Sequence, residues 1–275
     1  MRPGAWCWRR LSTVTLSIAL LLVGITAPGL ASSFVTDQAL SSAVRISILL
    51  RCPGEPGGGS ADVHGSGWTR SCEPASSGAG AGGAAAYRIR VATAAHVLDV
   101  DDIAQSFHMK QQPTVKVVVA YRDGQQLMAG RENLFVDRTS DYGEIRLRSA
   151  IPRQILPVGD PLSVWPGASL VAVASPGNLS FGVFQGNLIL KDPGPVGDVP
   201  QDAWLSSITV APGASGAPVI DESGAVVATV IGFAEWPCGG SLSALSVLVP
   251  LPKTPLLHSA SQARPSPPKK GGLSQ

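Results

Sequence analysis

Apolar and polar residues alternate in short runs along most of this chain. Val44-Arg45-Ile46-Ser47-Ile48 and Tyr87-Arg88-Ile89-Arg90-Val91 alternate strictly, and Thr114–Val119 does so in part. Further runs rich in Val, Ile and Leu fall at Ser169–Val173, Gly186–Leu190, Ala225–Ile231 and Leu245–Val249. Each is bounded by Gly, Pro, Ser or Asp, as strands bounded by turns are. A period of two places one set of side chains in a core and the other in solvent. No long stretch repeats at the helical period, and only Asp101–Phe107 suggests a helical turn or two. Many short strands at this spacing predict an all-β sandwich or barrel.

The first 31 residues break this pattern. Arg2, Arg9 and Arg10 precede an apolar run from Leu11 to Ala27, and Pro28-Gly29-Leu30-Ala31 supplies small residues for a cut after Ala31. This is the layout of a secretory signal peptide over 1–31. The run is short for a bilayer span and carries Ser12, Thr13, Thr15 and Ser17. A secreted or periplasmic chain without stable membrane insertion is expected; a retained leader would make it an envelope-anchored one. Beyond the leader, 18 basic residues face 19 acidic ones, and four of the bases lie near the C-terminus. That balance lacks the basic footprint of nucleic-acid binding.

Export permits disulfides, but the mature chain carries three cysteines, Cys52, Cys72 and Cys238, so at least one has no partner within the chain. A hairpin of 43–51 and 63–70 would put Cys52 and Cys72 at opposite ends, beyond disulfide reach. Pro53–Ala61 and Glu73–Ala86 read as linker-like insertions, and the tail from about Pro255 reads as disordered. Gly78, Gly80 and Gly83 make a formal G-x-G-x-x-G, but it precedes a strand instead of opening a helix. The expected organisation is a leader at 1–31, an N-terminal barrel within 32–150, a C-terminal barrel at 151–252 and a tail at 253–275.

Of the four histidines, His96 alone ends a strand and is framed by small residues, in "RVATAAHV". Fixed there with one edge reachable, it suits a general base. "VAPGASGAPVID" sets Ser215 among turn-forming residues, where Gly213 and Gly216 permit unusual backbone angles. The N–H groups of Gly213 and Ser215 can then aim into one pocket as an oxyanion hole. "VDRTSDYGEIRL" offers a carboxylate, Asp141, with Asp137 as a second choice. The chain order His96, Asp141, Ser215 is that of the chymotrypsin type, not of α/β-hydrolases or subtilisins. The chain has no C-x-x-C, H-E-x-x-H or acidic calcium loop, so no metal and no cofactor is expected. Cys238 in "WPCGG" has no evident base near it and reads as a loop thiol.

These motifs together resemble the trypsin-like serine proteases. "TAAHV" is similar to their histidine motif, and "GASGAPV" to their G-x-S-G-x-P motif. "VDRTSDYGEIRL" resembles the aspartate motif of the bacterial high-temperature-requirement branch. "HGSGW" (64–68), "ASPGNLSFGVFQGNLI" (174–189) and "GAVVATVIGF" (224–233) resemble further segments of that branch's catalytic domain. The chain departs from the family at Ala214, where Asp or Asn is usual, and at Gly143 and Glu144 after the aspartate. The likeness runs from about Val44 to Leu251, with no PDZ-sized segment after it. It implies two six-stranded antiparallel barrels and a cleft between them that cuts protein or peptide substrates through an acyl-enzyme. It further implies a specificity pocket with Thr209 at its base and Ile231, Gly232 and Phe233 along a wall. A secreted binding or scaffold protein on the same barrels is the alternative. Oligomeric state is not legible in the sequence.

Overall fold

The computed structural model describes residues 37–52, 59–75, 87–177, 179–194, 202–238 and 241–251. The leader, the Gly/Ala-rich stretch 76–86 and the C-terminal tail lie outside the described residues. The N-terminal unit comprises β1 (Ala43–Arg51), β2 (Ser60–Pro74), β3 (Tyr87–Ala94), β4 (Thr114–Tyr121), β5 (Gln126–Ala129), β6 (Leu134–Asp137) and β7 (Tyr142–Ser149). Between β3 and β4 come two short helices, α1 (Ala95–Leu98) and α2 (Val100–Ser106). The C-terminal unit comprises β8 (Ser169–Ala174), β9 (Gly182–Lys191), β10 (Trp204–Ser206), β11 (Pro218–Ile220), β12 (Val226–Cys238) and β13 (Ser241–Pro250).

The chain is all-β, as its alternation predicts, and the second unit is a closed six-stranded barrel in the order β10-β13-β12-β11-β8-β9. The first departs from the expected six-stranded barrel. It is a curled seven-stranded sheet, β5-β4-β1-β2-β3-β7-β6, whose edges β5 and β6 do not pair with each other. These strands hold four residues each, and the tight turn at Arg131–Asn133 between them bonds to itself through Gly130 N–H and Asn133 Oδ1, at 3.0 Å. The expected linkers also shrink. Ser60, Ala61, Glu73 and Pro74 belong to β2, which is fifteen residues long. A register shift between Thr69 and Ser71 marks a bulge in its pairing with β3.

Alternation explains the first core. Val44, Ile46, Ile48 and Leu50 of β1 point inward with Ile89 and Val91 of β3, Val117 and Val119 of β4, and Ile145 of β7. Each such side chain contributes about 1.5–3 kcal/mol when fully buried. Leu170, Leu188, Ile208, Val219, Val227, Val230 and Leu248 fill the second barrel. A third cluster joins the two units. Ala39, Leu40, Trp68, Ala92 and Tyr142 pack with Leu156, Val173, Ile220, Val226 and Leu251. That shared core fixes the cleft between the units, where β3 and the β10–β11 loop meet.

Candidate active site

His96 is the second residue of α1, immediately after β3. Asp141 lies one residue before β7, in the left-handed region at φ 45°, a conformation Asp tolerates better than most residues. Two hydrogen bonds join them, and a third ties Asp141 to the residue before His96. Asp141 Oδ1 accepts from the His96 backbone N–H at 2.9 Å, its Oδ2 lies 2.9 Å from His96 Nδ1, and its carbonyl accepts from Ala95 N–H at 3.0 Å. An aspartate at Nδ1 leaves Nε2 facing outward, the arrangement that makes an imidazole a base. Asp137, the second choice, caps its own turn instead. It accepts from Thr139 N–H at 3.0 Å and Ser140 Oγ at 2.8 Å.

Glu144, one of the departures, is buried with partners. Its Oε1 lies 3.6 Å from Arg90 Nη1, and its Oε2 accepts from Tyr142 OH at 3.3 Å. Arg70 in turn donates to the Tyr142 hydroxyl at 2.6 Å. Burial pushes the Tyr142 phenol up to about 12. The second departure, Ala214, is also buried and packs in the core of the C-terminal barrel.

Ser215 lies in the loop between β10 and β11. Its neighbours Gly213 (φ 96°) and Gly216 (φ 86°) both need positive φ. At Gly216 no side chain fits, because a Cβ would collide with Thr93 Oγ1 and the Ser66 carbonyl oxygen. The loop is thus pressed against the end of β3, two residues ahead of His96. Neither the Gly213 nor the Ser215 N–H has a hydrogen-bond partner among the described residues, which leaves two adjacent donors free. The Ser215 hydroxyl donates to the Ile231 carbonyl at 3.4 Å and makes no hydrogen bond to His96. Rotation about χ1 re-aims a serine hydroxyl at little cost, and such bonds are often long before substrate binds.

One residue without an assigned role in the sequence reading organises this loop. Ser66, fully buried in β2, donates its hydroxyl to the Gly213 carbonyl at 2.7 Å and accepts from Ser175 N–H at 2.9 Å. Its backbone N–H donates to the Ser215 carbonyl at 2.7 Å, and its own carbonyl accepts from Thr93 Oγ1 at 2.7 Å. The only hint in the sequence is its place between two glycines in "HGSGW". Of the expected pocket residues, Thr209 is exposed, Ile231 and Gly232 are half-buried, and Phe233 is 44% exposed. Ile231 stands at a bulge in the pairing of β12 with β13. Cys52 and Cys72 are free thiols, Cys52 donating to the Gln111 carbonyl and Cys72 accepting from Arg153 N–H.

Residues 71–228 match the model of the trypsin-like peptidase domain, well over half of the chain. The chain belongs to the trypsin-like peptidase domain family. Its fold agrees with a solved structure of an HtrA-type protease, AlgW, in a variant form with a decapeptide. The TM-score is 0.58 at 14% sequence identity, over 79% of this chain and 62% of that one. At that identity the likeness shows the fold alone, and this chain spans less than two thirds of the HtrA-type protein's length. No curated protein sequence matches the chain. Membership of the trypsin-like family and the fold it shares with an HtrA-type protease agree with the resemblance carried by the His96 and Ser215 motifs.

Proposed function

We propose that this member of the trypsin-like peptidase family is a secreted serine endopeptidase using His96, Asp141 and Ser215. The observation that carries this reading is the doubly bonded His96–Asp141 pair beside a serine loop with two unpartnered N–H groups. Ser215 Oγ attacks the scissile carbonyl carbon while His96 Nε2 takes the hydroxyl proton. Asp141 holds the imidazole and stabilises its charged form. The developing oxyanion sits on the N–H groups of Gly213 and Ser215. His96 then gives its proton to the leaving amine, and a water molecule, deprotonated by the same nitrogen, hydrolyses the acyl-enzyme.

A fluorophosphonate probe tests this reading. Wild-type protein becomes labelled at Ser215, and Ser215→Ala is unlabelled and loses about six orders of magnitude in turnover while remaining folded. Labelling elsewhere, or activity retained in Ser215→Ala, overturns it and favours a non-catalytic scaffold. The pocket reading predicts specificity. Thr209 is no acid, and Ile231, Gly232 and Phe233 are apolar. Small or medium aliphatic residues are therefore preferred before the cut, by about 1–3 kcal/mol per methylene. Cleavage mapped across a denatured protein library checks this, and a dominant preference for Arg or Lys defeats it.

A further inference from the structure

Four arginines form a two-by-two grid on the outer face of the N-terminal sheet. Arg88 pairs directly with Arg148, and Arg90 with Arg146, across the antiparallel ladder of β3 and β7. Directly opposed side chains stand about 4.5–5.5 Å apart at Cβ, where like charges destabilise a sheet. Alternation explains why they share a face, since Ile89 and Leu147 between them point into the core. Two carboxylates offset them in part: Glu73 stands opposite Arg88 on β2, and Glu144 is buried beside Arg90, so the arginines outnumber the acids by two. Among the described residues the only ion pair in the grid joins Arg90 to Glu144, at 3.6 Å. The stretch 75–86, between β2 and β3 in the sequence, contains no charged residue. The arginines line a shallow concavity of about 430 Å³ with Ser71, Glu73 and Asn133.

We infer that this grid is a binding site for an acidic polypeptide segment in extended conformation. The spacing supports that occupant. Arg88 and Arg90, like Arg146 and Arg148, are two residues apart on a strand, about 6.6 Å. An extended peptide repeats its side chains on one face at the same interval, so carboxylates at alternate positions meet successive guanidinium groups, which suit carboxylates through bidentate hydrogen bonds. No aromatic side chain lines the concavity, so the stacking surface that single-stranded nucleic acid uses is missing. Arg90 lies four residues before the end of β3, roughly 13 Å of strand from the helix bearing His96. A polypeptide held on the grid by an acidic stretch is thereby presented near the cleft. The binding itself does not depend on turnover at Ser215.

The test uses Ser215→Ala protein and a fluorescein-labelled peptide of alternating Glu and Ser, with binding read by anisotropy at low and physiological salt. Saturable binding is expected, weakened at least tenfold by Arg88→Gln with Arg148→Gln, and similarly by Arg146→Gln with Arg148→Gln. The charge-matched control Lys110→Gln with Lys116→Gln, two exposed lysines away from the grid, changes it less than twofold. Removing one of each opposed arginine pair also leaves the urea unfolding midpoint unchanged or raised. Equal losses in the grid and control variants overturn the proposal as general charge attraction. So does tighter binding of a single-stranded oligonucleotide than of the peptide, or no peptide binding at all.

Discussion

Ser66 is the residue on which the geometry of the serine loop turns. Its hydroxyl bridges Gly213, 147 residues away, and Ser175, 109 residues away. Ser66→Ala leaves a buried N–H and a carbonyl without that partner, which costs about 1–3 kcal/mol in stability. It also frees the carbonyl of Gly213, the residue whose own N–H is one of the two unpartnered donors. Turnover is expected to fall roughly 10- to 100-fold with KM little changed, because the oxyanion forms only after binding. Steady-state kinetics beside urea unfolding check this; a stability loss with wild-type kcat would mean that Ser66 only supports the fold. Gly216 is stricter still. Gly216→Ala puts a side chain at positive φ and into Thr93 and Ser66, so a loss of at least about 2 kcal/mol is expected in the same unfolding experiment. His96 and Ser215 stood out in the sequence because their neighbours are contiguous. Ser66 did not, because each partner of its hydroxyl comes from a distant strand or loop.

At the scale of elements, α1 and the turn before β7 are joined by a second contact besides His96–Asp141. Asp99, at the junction of α1 and α2, caps α2 by accepting from Asp102 N–H at 3.2 Å. It also accepts from Arg138 through Nε at 2.5 Å and Nη2 at 2.8 Å. Arg138 belongs to the turn that delivers Asp141. The Arg138 hydrogen bond holds the Asp99 carboxyl below its ordinary value of 3.8. A carboxyl depressed by folding stabilises the native state above its unfolded value, and that contribution disappears as pH falls through the folded one. Arg138 is largely exposed, so solvent screens the pair and the contribution is small. Wild type should therefore exceed Asp99→Asn in stability at about pH 7 and lose that margin progressively as pH falls below 3.8; urea midpoints across that range decide it. An unchanging margin would mean that the ion pair contributes nothing. Longer elements were legible because eight to ten alternating residues reveal their period. The edge strands β5 and β6, "QLMA" and "LFVD", are too short to show one, which is why the seventh strand of the first sheet went unseen.

Activation is a property of the whole molecule. A trypsin-type zymogen switches on when a cut frees an N-terminus whose ammonium pairs, inside the protein, with an aspartate just before the catalytic serine. Here that position is Ala214, 2% exposed and packed among apolar residues of the C-terminal barrel. An ammonium buried there would have no counter-charge and would cost several kcal/mol. The serine loop has other supports: Ser66 on Gly213, the Ser66 N–H on the Ser215 carbonyl, and Val230 accepting from Gly216 N–H at 2.7 Å. The segment ahead of β1 is itself engaged. Ala39 and Leu40 are buried in the core shared by the two units, and Ser42 exchanges hydrogen bonds with Thr69, each at 3.3 Å. Trimming past Ser41 would strip those apolar contacts and loosen the seam that sets the cleft. The chain beginning near Ser32 should therefore react with a fluorophosphonate at one site per molecule without a second cut. A version beginning at Ser42 should unfold at lower urea concentration. Active-site titration of homogeneous protein, with its N-terminus read by mass spectrometry, checks both expectations. Reaction confined to the trimmed form would show that a new N-terminus orders the loop by a route that bypasses Ala214.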